Sequence, residues 1–216
     1  LTVAVVDRRP IGTTGSRCAL GVPPAAFDRA GILRPEAPEL LSRDFPFWMT
    51  GPDARGRFRV AACPLLVVDA GRMTDRILDL ARAAGAEVFG DVAVREARFQ
   101  GDRIAALSVV IGGRGRSRQR TTLLSARLFV DATGMSGALR RLAPRLARDC
   151  PDVPSAHVCA AAESICEVAD PDAALAWVRR SGIARGEGLV SLGINGPYSV
   201  RDIVVSRDLR HVEVLG

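Results

Sequence analysis

Lysine is missing from this 216-residue sequence, in which arginine supplies all thirty basic residues. This absence excludes every mechanism that needs a lysine ammonium or a Schiff base. It also excludes a P-loop, which ends in Gly-Lys-Ser/Thr. A short-chain dehydrogenase is disfavoured as well, because Tyr198, the single tyrosine, is followed four residues later by Asp202 rather than by lysine.

Cysteine and histidine are too few and too scattered to suggest a metal centre. The chain has five cysteines, none of them in a Cys-x-x-Cys pair, and only two histidines. The odd number of cysteines argues against a secreted disulfide framework. Free and mostly buried thiols are therefore expected, and no metal ligand is assigned.

Long apolar runs and an N-terminal signal pattern are absent too, so we expect a cytoplasmic protein without a transmembrane segment. The net charge of +6 could suit nucleic acid or an anionic cofactor. The arginines are scattered, however, and aromatic residues make up only 5% of the chain. Little base stacking is possible with so few aromatic rings, so nucleic-acid binding is disfavoured.

Two stretches suggest strands that end beside a nucleotide. Leu1 to Asp7 is rich in β-branched residues and ends in an acid. Leu128 to Gly134 predicts a buried strand with a glycine turn, followed by an arginine-rich helix. Open α/β sheets bring the backbone close to a nucleotide in this way. A glycine-rich loop from Gly12 to Pro23 could approach a pyrophosphate with its N–H groups.

The remaining sequence predicts an amphipathic helix, a β-meander and a second, antiparallel sheet. A short helix is expected near Pro38 to Arg43, inside an otherwise irregular segment. The other predicted elements are a helix over Arg72–Ala84, meander strands over Val92–Phe99, Ile104–Ile111 and Thr121–Phe129, a helix from Asp170 to Arg180, and strands over Ala156–Val168, Leu189–Ile194, Ser199–Ser206 and Leu209–Leu215.

In this order the elements resemble the FAD-dependent oxidoreductases of the glutathione-reductase-like fold, in the branch of aromatic hydroxylases and geranylgeranyl reductases. The motifs that carry the resemblance are Val3-Ala4-Val5-Val6-Asp7-Arg8-Arg9, the helix ending in Gly85-Ala86-Glu87-Val88, and Val130-Asp131-Ala132-Thr133-Gly134. The resemblance implies an α/β fold with a Rossmann-like, three-layer FAD/NAD(P)-binding domain, a β-meander and part of an antiparallel-sheet substrate domain. We place the first domain at 1–150, with an irregular insertion at about 20–65, and the second at 151–216.

The resemblance also implies roles for single residues and for small molecules. The cofactor would be non-covalently bound FAD, the substrate a small organic molecule, and the electron donor or acceptor NAD(P)H or another redox partner. No catalytic residue is assigned, because flavin chemistry requires no invariant protein acid or base. The implied contacts are Asp7 on the adenosine ribose, Arg8 near the adenine or phosphates, Arg17 facing the pyrophosphate, Val94 (or Val92) offering backbone groups to the adenine, and Ala132, Thr133 and Gly134 packing against the cofactor.

Two features of the family have no counterpart in the 216 residues. Its Gly-x-Gly-x-x-Gly turn would precede Leu1, and its later Gly-Asp motif would follow Gly216. We therefore expect a piece of a longer protein that is inactive alone and does not hold flavin tightly. A flavin-dependent halogenase is disfavoured because its lysine is missing. The alternative is a non-catalytic nucleotide-binding or interaction protein that retains the fold.

Overall fold

The computed structural model describes residues 2–16, 18–51, 56–112, 119–158, 160–193 and 200–216. In chain order its helices and strands are β1 (Ala4–Val6), β2 (Ala19–Val22), α1 (Pro24–Ala30), β3 (Leu40–Arg43), β4 (Phe47–Thr50), β5 (Arg57–Val60), β6 (Leu66–Asp69), α2 (Ala70–Ala83), β7 (Glu87–Phe89), β8 (Val92–Gln100), β9 (Arg103–Ile111), β10 (Arg120–Ser125), α3 (Ala138–Leu142), α4 (Pro144–Asp149), β11 (Glu163–Glu167), α5 (Pro171–Arg180), β12 (Gly188–Leu192), β13 (Val200–Val205) and β14 (His211–Leu215).

These elements form two compact units, and each unit is built from two separate stretches of chain. The first unit comprises residues 1–16 and 74–158, and the second comprises 17–73 and 159–216. This grouping differs from the continuous division at residue 150 that the sequence suggested. The physical reason is strand pairing: β4, from the expected insertion, pairs in parallel with β12.

The first unit contains a two-stranded parallel sheet and the predicted β-meander. β1 pairs with β7, and the three meander strands lie in the order β10-β9-β8, all antiparallel. Their core consists of the buried residues Val92, Leu107, Val109 and Leu139, with Val6 and Phe129 packed against them. Because Leu139 belongs to α3, this core holds that short helix against the meander.

The second unit contains two sheets. One is three-stranded, in the order β2-β6-β3, and the other is six-stranded, in the order β11-β14-β13-β12-β4-β5. Helix α5 covers one face of the larger sheet. The buried residues Val178, Ile183 and Val205, together with Trp48 and Leu189, form the core between them.

Helix α5 begins and ends as its sequence predicts, whereas α2, expected over Arg72–Ala84, runs from Ala70 to Ala83. Helix α2 ends before Gly85, whose φ of +88° lies in the left-handed region. In α5 the Asp170 carboxylate accepts hydrogen bonds from the N–H groups of Asp172 and Ala173, and Pro171 occupies the first turn. These are the N-terminal cap and proline position typical of helices. Gly182, with a φ of +59°, follows the helix end.

Three local predictions are wrong. The stretch Leu128 to Gly134 is not a strand: β10 stops at Ser125, and Leu128 and Val130 are 77% and 75% exposed. An isolated extended segment lacks the neighbouring strand that would bury those side chains. Pro38 to Arg43 ends in strand β3 rather than forming a helix. The segment described as irregular also contains α1, β4 and β5.

Two further expectations concern boundaries and thiols. The strand expected over Ala156–Val168 is limited to β11, five residues long. The four cysteines Cys18, Cys63, Cys150 and Cys166 form no disulfide with one another. None of these four is buried, since Cys150 and Cys166 are exposed and Cys18 and Cys63 are half-buried. Within the described residues, no helix has the length and apolar character needed to cross a membrane.

Candidate nucleotide site

Asp7 stands at the carboxyl end of β1, where the chain turns away from the parallel sheet. Its carboxylate accepts a hydrogen bond of 2.7 Å from the backbone N–H of Arg9, which fixes the turn. Its own N–H donates to the carbonyl of Phe89, and its carbonyl accepts from the N–H of Val92. Asp7 is half-buried, whereas Arg8 is exposed. The turn is therefore held on both sides by the segment that joins β7 to β8.

The loop after this turn is organised by Arg9 rather than by Arg8. The Arg9 guanidinium donates to the carbonyls of Gly15, at 2.5 Å, and Thr13, at 3.4 Å. Gly15 has a φ of +77°, and a Cβ there would stand 2.3 Å from Thr74 Oγ1. Both the backbone conformation and the space thus require glycine.

Thr14 in the same loop carries a buried polar atom without a partner. The residue is 6% exposed, and its hydroxyl oxygen has no hydrogen-bond partner among the described residues. Buried polar groups are ordinarily hydrogen-bonded, often to a ligand or to water. The loop therefore has hydrogen-bonding capacity that the described protein groups do not use.

Gly90 allows the loop and the start of β8 to approach closely. A Cβ at this position would lie 2.7 Å from Ile11 N and 2.9 Å from Arg9 O. Val92 already donates its N–H to Asp7. Val94 is half-buried and packs on the core of the first unit, in a strand at the edge of its three-stranded sheet. Val94 and Val92 are the two residues proposed to offer backbone groups to the adenine. Of these, Val94 is the one whose N–H does not donate to Asp7.

The Asp131–Gly134 turn caps helix α3. One oxygen of the Asp131 carboxylate accepts from the N–H and hydroxyl of Thr133, at 3.0 and 2.6 Å. The other accepts from the N–H groups of Leu139 and Arg140, both at 2.9 Å. The Thr133 hydroxyl in turn accepts from Ala138 N–H at 2.8 Å. These bonds use both carboxylate oxygens for the protein's own turn, and residues 132–134 are exposed.

The charge of Asp131 is stabilised by this arrangement. Partial burial opposes ionisation, but the hydrogen bonds from Thr133, Arg140 and Leu139 outweigh it and lower the pKa of the carboxyl. Several donors directed at one carboxylate have this effect in general. Asp131 is thus an ionised capping residue at neutral pH.

The structure places the predicted site residues in one unit, with a single exception. Arg17 lies outside the described residues. The predicted site residues that belong to the first unit are Asp7, Arg8, Val94, Ala132, Thr133 and Gly134. Sequence reasoning missed Arg9 and Asp131 as organisers of the two turns. An Asp followed two residues later by Thr is a known turn signal and could have indicated the cap.

A group of carboxylates lies on the large sheet of the second unit. Asp202, on β13, has an oxygen that is buried without a hydrogen-bond partner among the described residues. Burial raises the pKa of Asp202, and the Glu163 carboxylate adds to it, while the N–H of Ile203 opposes it. The pKa of Glu213 is likewise raised by burial and by Glu163 and Asp202, against the effect of His211. No group of three metal-type ligands is arranged to hold an ion in the described ranges.

Comparison with known proteins shows the fold. No family model and no curated protein sequence matches the chain. Among solved structures, a geranylgeranyl bacteriochlorophyll reductase-like protein from Thermoplasma acidophilum has a TM-score of 0.64 at 16% identity, covering 98% of this chain and 49% of that one. A flavoprotein/dehydrogenase from Cytophaga hutchinsonii has a TM-score of 0.56 at 14% identity, with coverages of 99% and 49%.

A third similar structure is a myxobacterial chondrochloren halogenase, described as an FAD-dependent halogenase. Its TM-score is 0.56 at 15% identity, and the match covers 100% of this chain and 46% of the halogenase. The chain thus has the Rossmann-like α/β fold of these flavoproteins, as the sequence motifs suggested, and spans about half of their length.

Proposed function

We propose that the chain belongs to an FAD-dependent oxidoreductase and supplies part of its cofactor site. The observation that carries this proposal is the arrangement at the carboxyl end of β1. There an acid ends the strand, and the loop that follows carries the buried Thr14 hydroxyl, which has no hydrogen-bond partner among the described residues. The acid at such a strand end binds ribose hydroxyls in dinucleotide folds. The likeness to flavoproteins supports FAD as the dinucleotide.

The residues present fit the adenosine half of this cofactor. Only one hydrogen bond to the Asp7 carboxylate, from Arg9 N–H, is seen among the described residues, and a carboxylate has capacity for more. Arg8 is exposed beside it and would contact the adenine or the phosphates. Val94, on the edge strand β8, would face the adenine, and the exposed residues 132–134 would pack against the cofactor.

The chemistry follows from the cofactor rather than from a protein nucleophile. Bound FAD would transfer a hydride or electrons through the flavin N5, while the protein supplies orientation and electrostatics. The substrate is a small organic molecule, and NAD(P)H or another redox partner completes the cycle. Halogenation is not proposed, although a halogenase is among the similar structures, because the 216 residues contain no lysine.

A binding experiment tests the cofactor assignment. FAD is titrated into the purified chain by equilibrium dialysis, for the wild type, for Asp7→Asn and for the control Glu96→Gln. The amide oxygen of the introduced asparagine can still accept the Arg9 N–H, so the turn persists while the charge on the ribose contact is lost. A hydrogen bond to a charged group is worth about 1.5–3 kcal/mol, so Asp7→Asn weakens FAD binding roughly tenfold or more.

The experiment has one control variant, Glu96→Gln, and two outcomes that contradict the proposal. Glu96 is an exposed residue of β8, and its substitution leaves FAD affinity unchanged. We expect binding that is reversible and lost on desalting, because no Gly-x-Gly-x-x-Gly turn occurs in the sequence. Undetectable FAD binding, or equal affinities for wild type and Asp7→Asn, contradicts the proposed function.

A further inference from the structure

Strand β11 forms one edge of the six-stranded sheet in the second unit. Its inner side pairs with β14, and this ladder continues past both ends of the strand. At one end Ala162 and Gly216 exchange two backbone hydrogen bonds, at 2.8 and 3.1 Å. At the other end Val168 donates its N–H to the carbonyl of Arg210 at 2.8 Å. Residues 162–168 therefore lie against β14 along their whole length.

The alternation of an antiparallel ladder shows which backbone groups of β11 point outward. The residues whose N–H and C=O groups face β14 recur at every second position, at Ala162, at Val168 and at the even-numbered residues between them. The N–H and C=O groups of Glu163, Ile165 and Glu167 are therefore directed away from β14, toward the edge of the sheet. Such groups on an edge strand are a template for a further extended chain.

Most of this edge is accessible from solvent. Ile165 is 63% exposed, and Glu167 is exposed as well. The first residue of the strand is less accessible, because Glu163 is half-buried and its carboxylate accepts a hydrogen bond of 3.3 Å from the N–H of Ala19, at the start of β2. The accessible part of the edge thus centres on residues 165–167.

The side chains of the outward-directed residues form an acidic, apolar, acidic row. Alternate side chains of a strand lie on one face of its sheet, so Glu163, Ile165 and Glu167 share a face. On β14, Glu213 lies opposite Ile165 and His211 lies opposite Glu167. Burial raises the pKa of Glu213, and the Glu163 carboxylate raises it further. Negative charges therefore repel one another beside Ile165, and a cation placed there would relieve the repulsion.

This charge pattern distinguishes between a second copy of the chain and a basic partner. If two β11 strands paired in antiparallel fashion about Ile165, Glu163 of each copy would stand opposite Glu167 of the other, and like charges directly opposite are destabilising. A segment with a basic residue on each side of an apolar one brings opposite charges to these positions. We propose that the edge of β11 binds such a basic, extended segment of a partner protein by strand addition.

A short peptide is the probe for this edge. Acetyl-Arg-Thr-Val-Thr-Arg-amide is titrated into the ¹⁵N-labelled chain under reducing conditions, and the backbone amides of β11 are followed by NMR. The amides of Ile165 and Glu167 shift saturably and exchange more slowly with solvent, because their N–H groups become hydrogen-bonded in the new ladder. The analogue with glutamate in place of both arginines binds at least about tenfold more weakly, because it brings like charges to the same positions.

An N-methylated peptide separates strand addition from simple charge attraction. N-methyl-valine at the central position keeps both arginines but removes the N–H that would donate to the Ile165 carbonyl. The lost hydrogen bond and the bulk of the methyl group weaken binding about tenfold. If the methylated and unmethylated peptides bind equally well, charge alone holds the peptide, and strand addition is refuted.

Two matched variants test the acidic row. Glu167→Gln keeps the shape of the side chain but removes its charge, and it weakens peptide binding about twofold to fivefold. Glu36→Gln removes an exposed carboxylate elsewhere in the second unit and leaves the affinity unchanged.

A charge reversal tests whether the edge can accept a strand at all. In Glu167→Arg the introduced arginine of one copy meets Glu163 of the other in the antiparallel arrangement, so the edge becomes complementary to itself. This variant forms dimers in sedimentation velocity at concentrations where the wild type is monomeric. A variant that stays monomeric shows that the edge does not accept a strand and overturns the proposal.

The remaining outcomes also decide the question. The proposal is overturned by unchanged amides of Ile165 and Glu167 in the presence of the basic peptide, by equal binding of the acidic and basic peptides, or by equal effects of Glu167→Gln and Glu36→Gln. A wild type that dimerises through β11 assigns the edge to a second copy and overturns it too. These measurements report on the second unit, so they stand apart from the FAD titration of the Asp7 variants.

Discussion

Replacing Asp202 by asparagine should stabilise the chain at neutral pH. Asp202 is one of two acids, with Glu213, whose pKa is raised chiefly by burial, and one of its oxygens has no hydrogen-bond partner in the described part of the chain. A Cβ added to Gly188 would lie 3.0 Å from that oxygen and 2.9 Å from the Phe45 ring. The carboxylate is therefore held against glycine and an aromatic ring, where its charge is poorly solvated.

The sign of the pH dependence follows from the raised pKa. The folded chain holds the Asp202 proton more tightly than the unfolded chain does. The stabilising contribution of that proton is fully present below the ordinary value of about 4 and is lost as pH rises through the folded pKa. Asparagine carries no charge at any pH. The difference in unfolding free energy between Asp202→Asn and wild type is thus near zero at acidic pH and grows toward pH 7.

Asparagine leaves a polar group in the same place, so the effect comes from the charge alone, and each unit of pKa corresponds to about 1.4 kcal/mol. Because the Asp202 side chain is only partly buried, we expect about 1 kcal/mol at pH 7. For a chain of this size such a change raises the Tm by about 2–4 °C. Urea unfolding at pH 4, 5.5 and 7, followed by circular dichroism, measures the difference.

Asp208 supplies a control of opposite sign in the same unit. The Ser206 hydroxyl and the Arg210 N–H donate to its carboxylate and lower its pKa. Its contribution is present above the ordinary pKa and is lost as pH falls. Asp208→Asn should therefore destabilise at pH 7 and have less effect at acidic pH. If Asp202→Asn destabilises at pH 7, or if its effect does not change with pH, the reasoning about the buried charge is refuted.

Two further predictions concern the turns of the first unit. Asp131→Ala removes the cap of α3 and should lower stability by about 1–2 kcal/mol, with faster hydrogen exchange at Leu139 and Arg140; unchanged exchange there would contradict the capping role. Gly15→Ala should destabilise the chain more than Gly12→Ala in urea unfolding, because both glycines have a positive φ but only a Cβ at Gly15 would meet Thr74. Equal losses of stability would contradict this and would show that the positive φ alone sets the cost of the substitution.

Local signals predicted the elements whose causes are local. Helix α5 follows from Asp170-Pro171, and the meander follows from alternating residues around Gly101. The strands before β4 were harder to predict from the sequence, because each of them pairs with a strand that is distant in the sequence. Leu40 pairs with Val68, for example, and no nearby residue indicates this. Propensity alone cannot report such pairings.

The candidate site was predictable in position but not in its internal bonds. The acid at the end of a β-rich run located Asp7 correctly at the end of β1. The buried strand expected at Leu128 failed because apolar composition cannot supply a neighbouring strand, and Val130 is exposed. The composition of this stretch also gave no sign that the Asp131 carboxylate caps the following helix, α3. Which donors surround a carboxylate depends on the folded turn, which the residue types do not specify.

The pairing of β4 with β12 has a consequence for how the chain is made. Phe47 lies beside Gly188, 141 positions later. During synthesis from the N-terminus, β4 and β5 emerge long before the strand that completes their sheet. Closing so long a loop costs conformational entropy before the pairing stabilises it, and such non-local contacts form slowly. Residue 158 is the last of the first unit in this sequence, so that part of the unit is synthesised before β12, while the apolar face of the β4–β5 hairpin still awaits its partner strand.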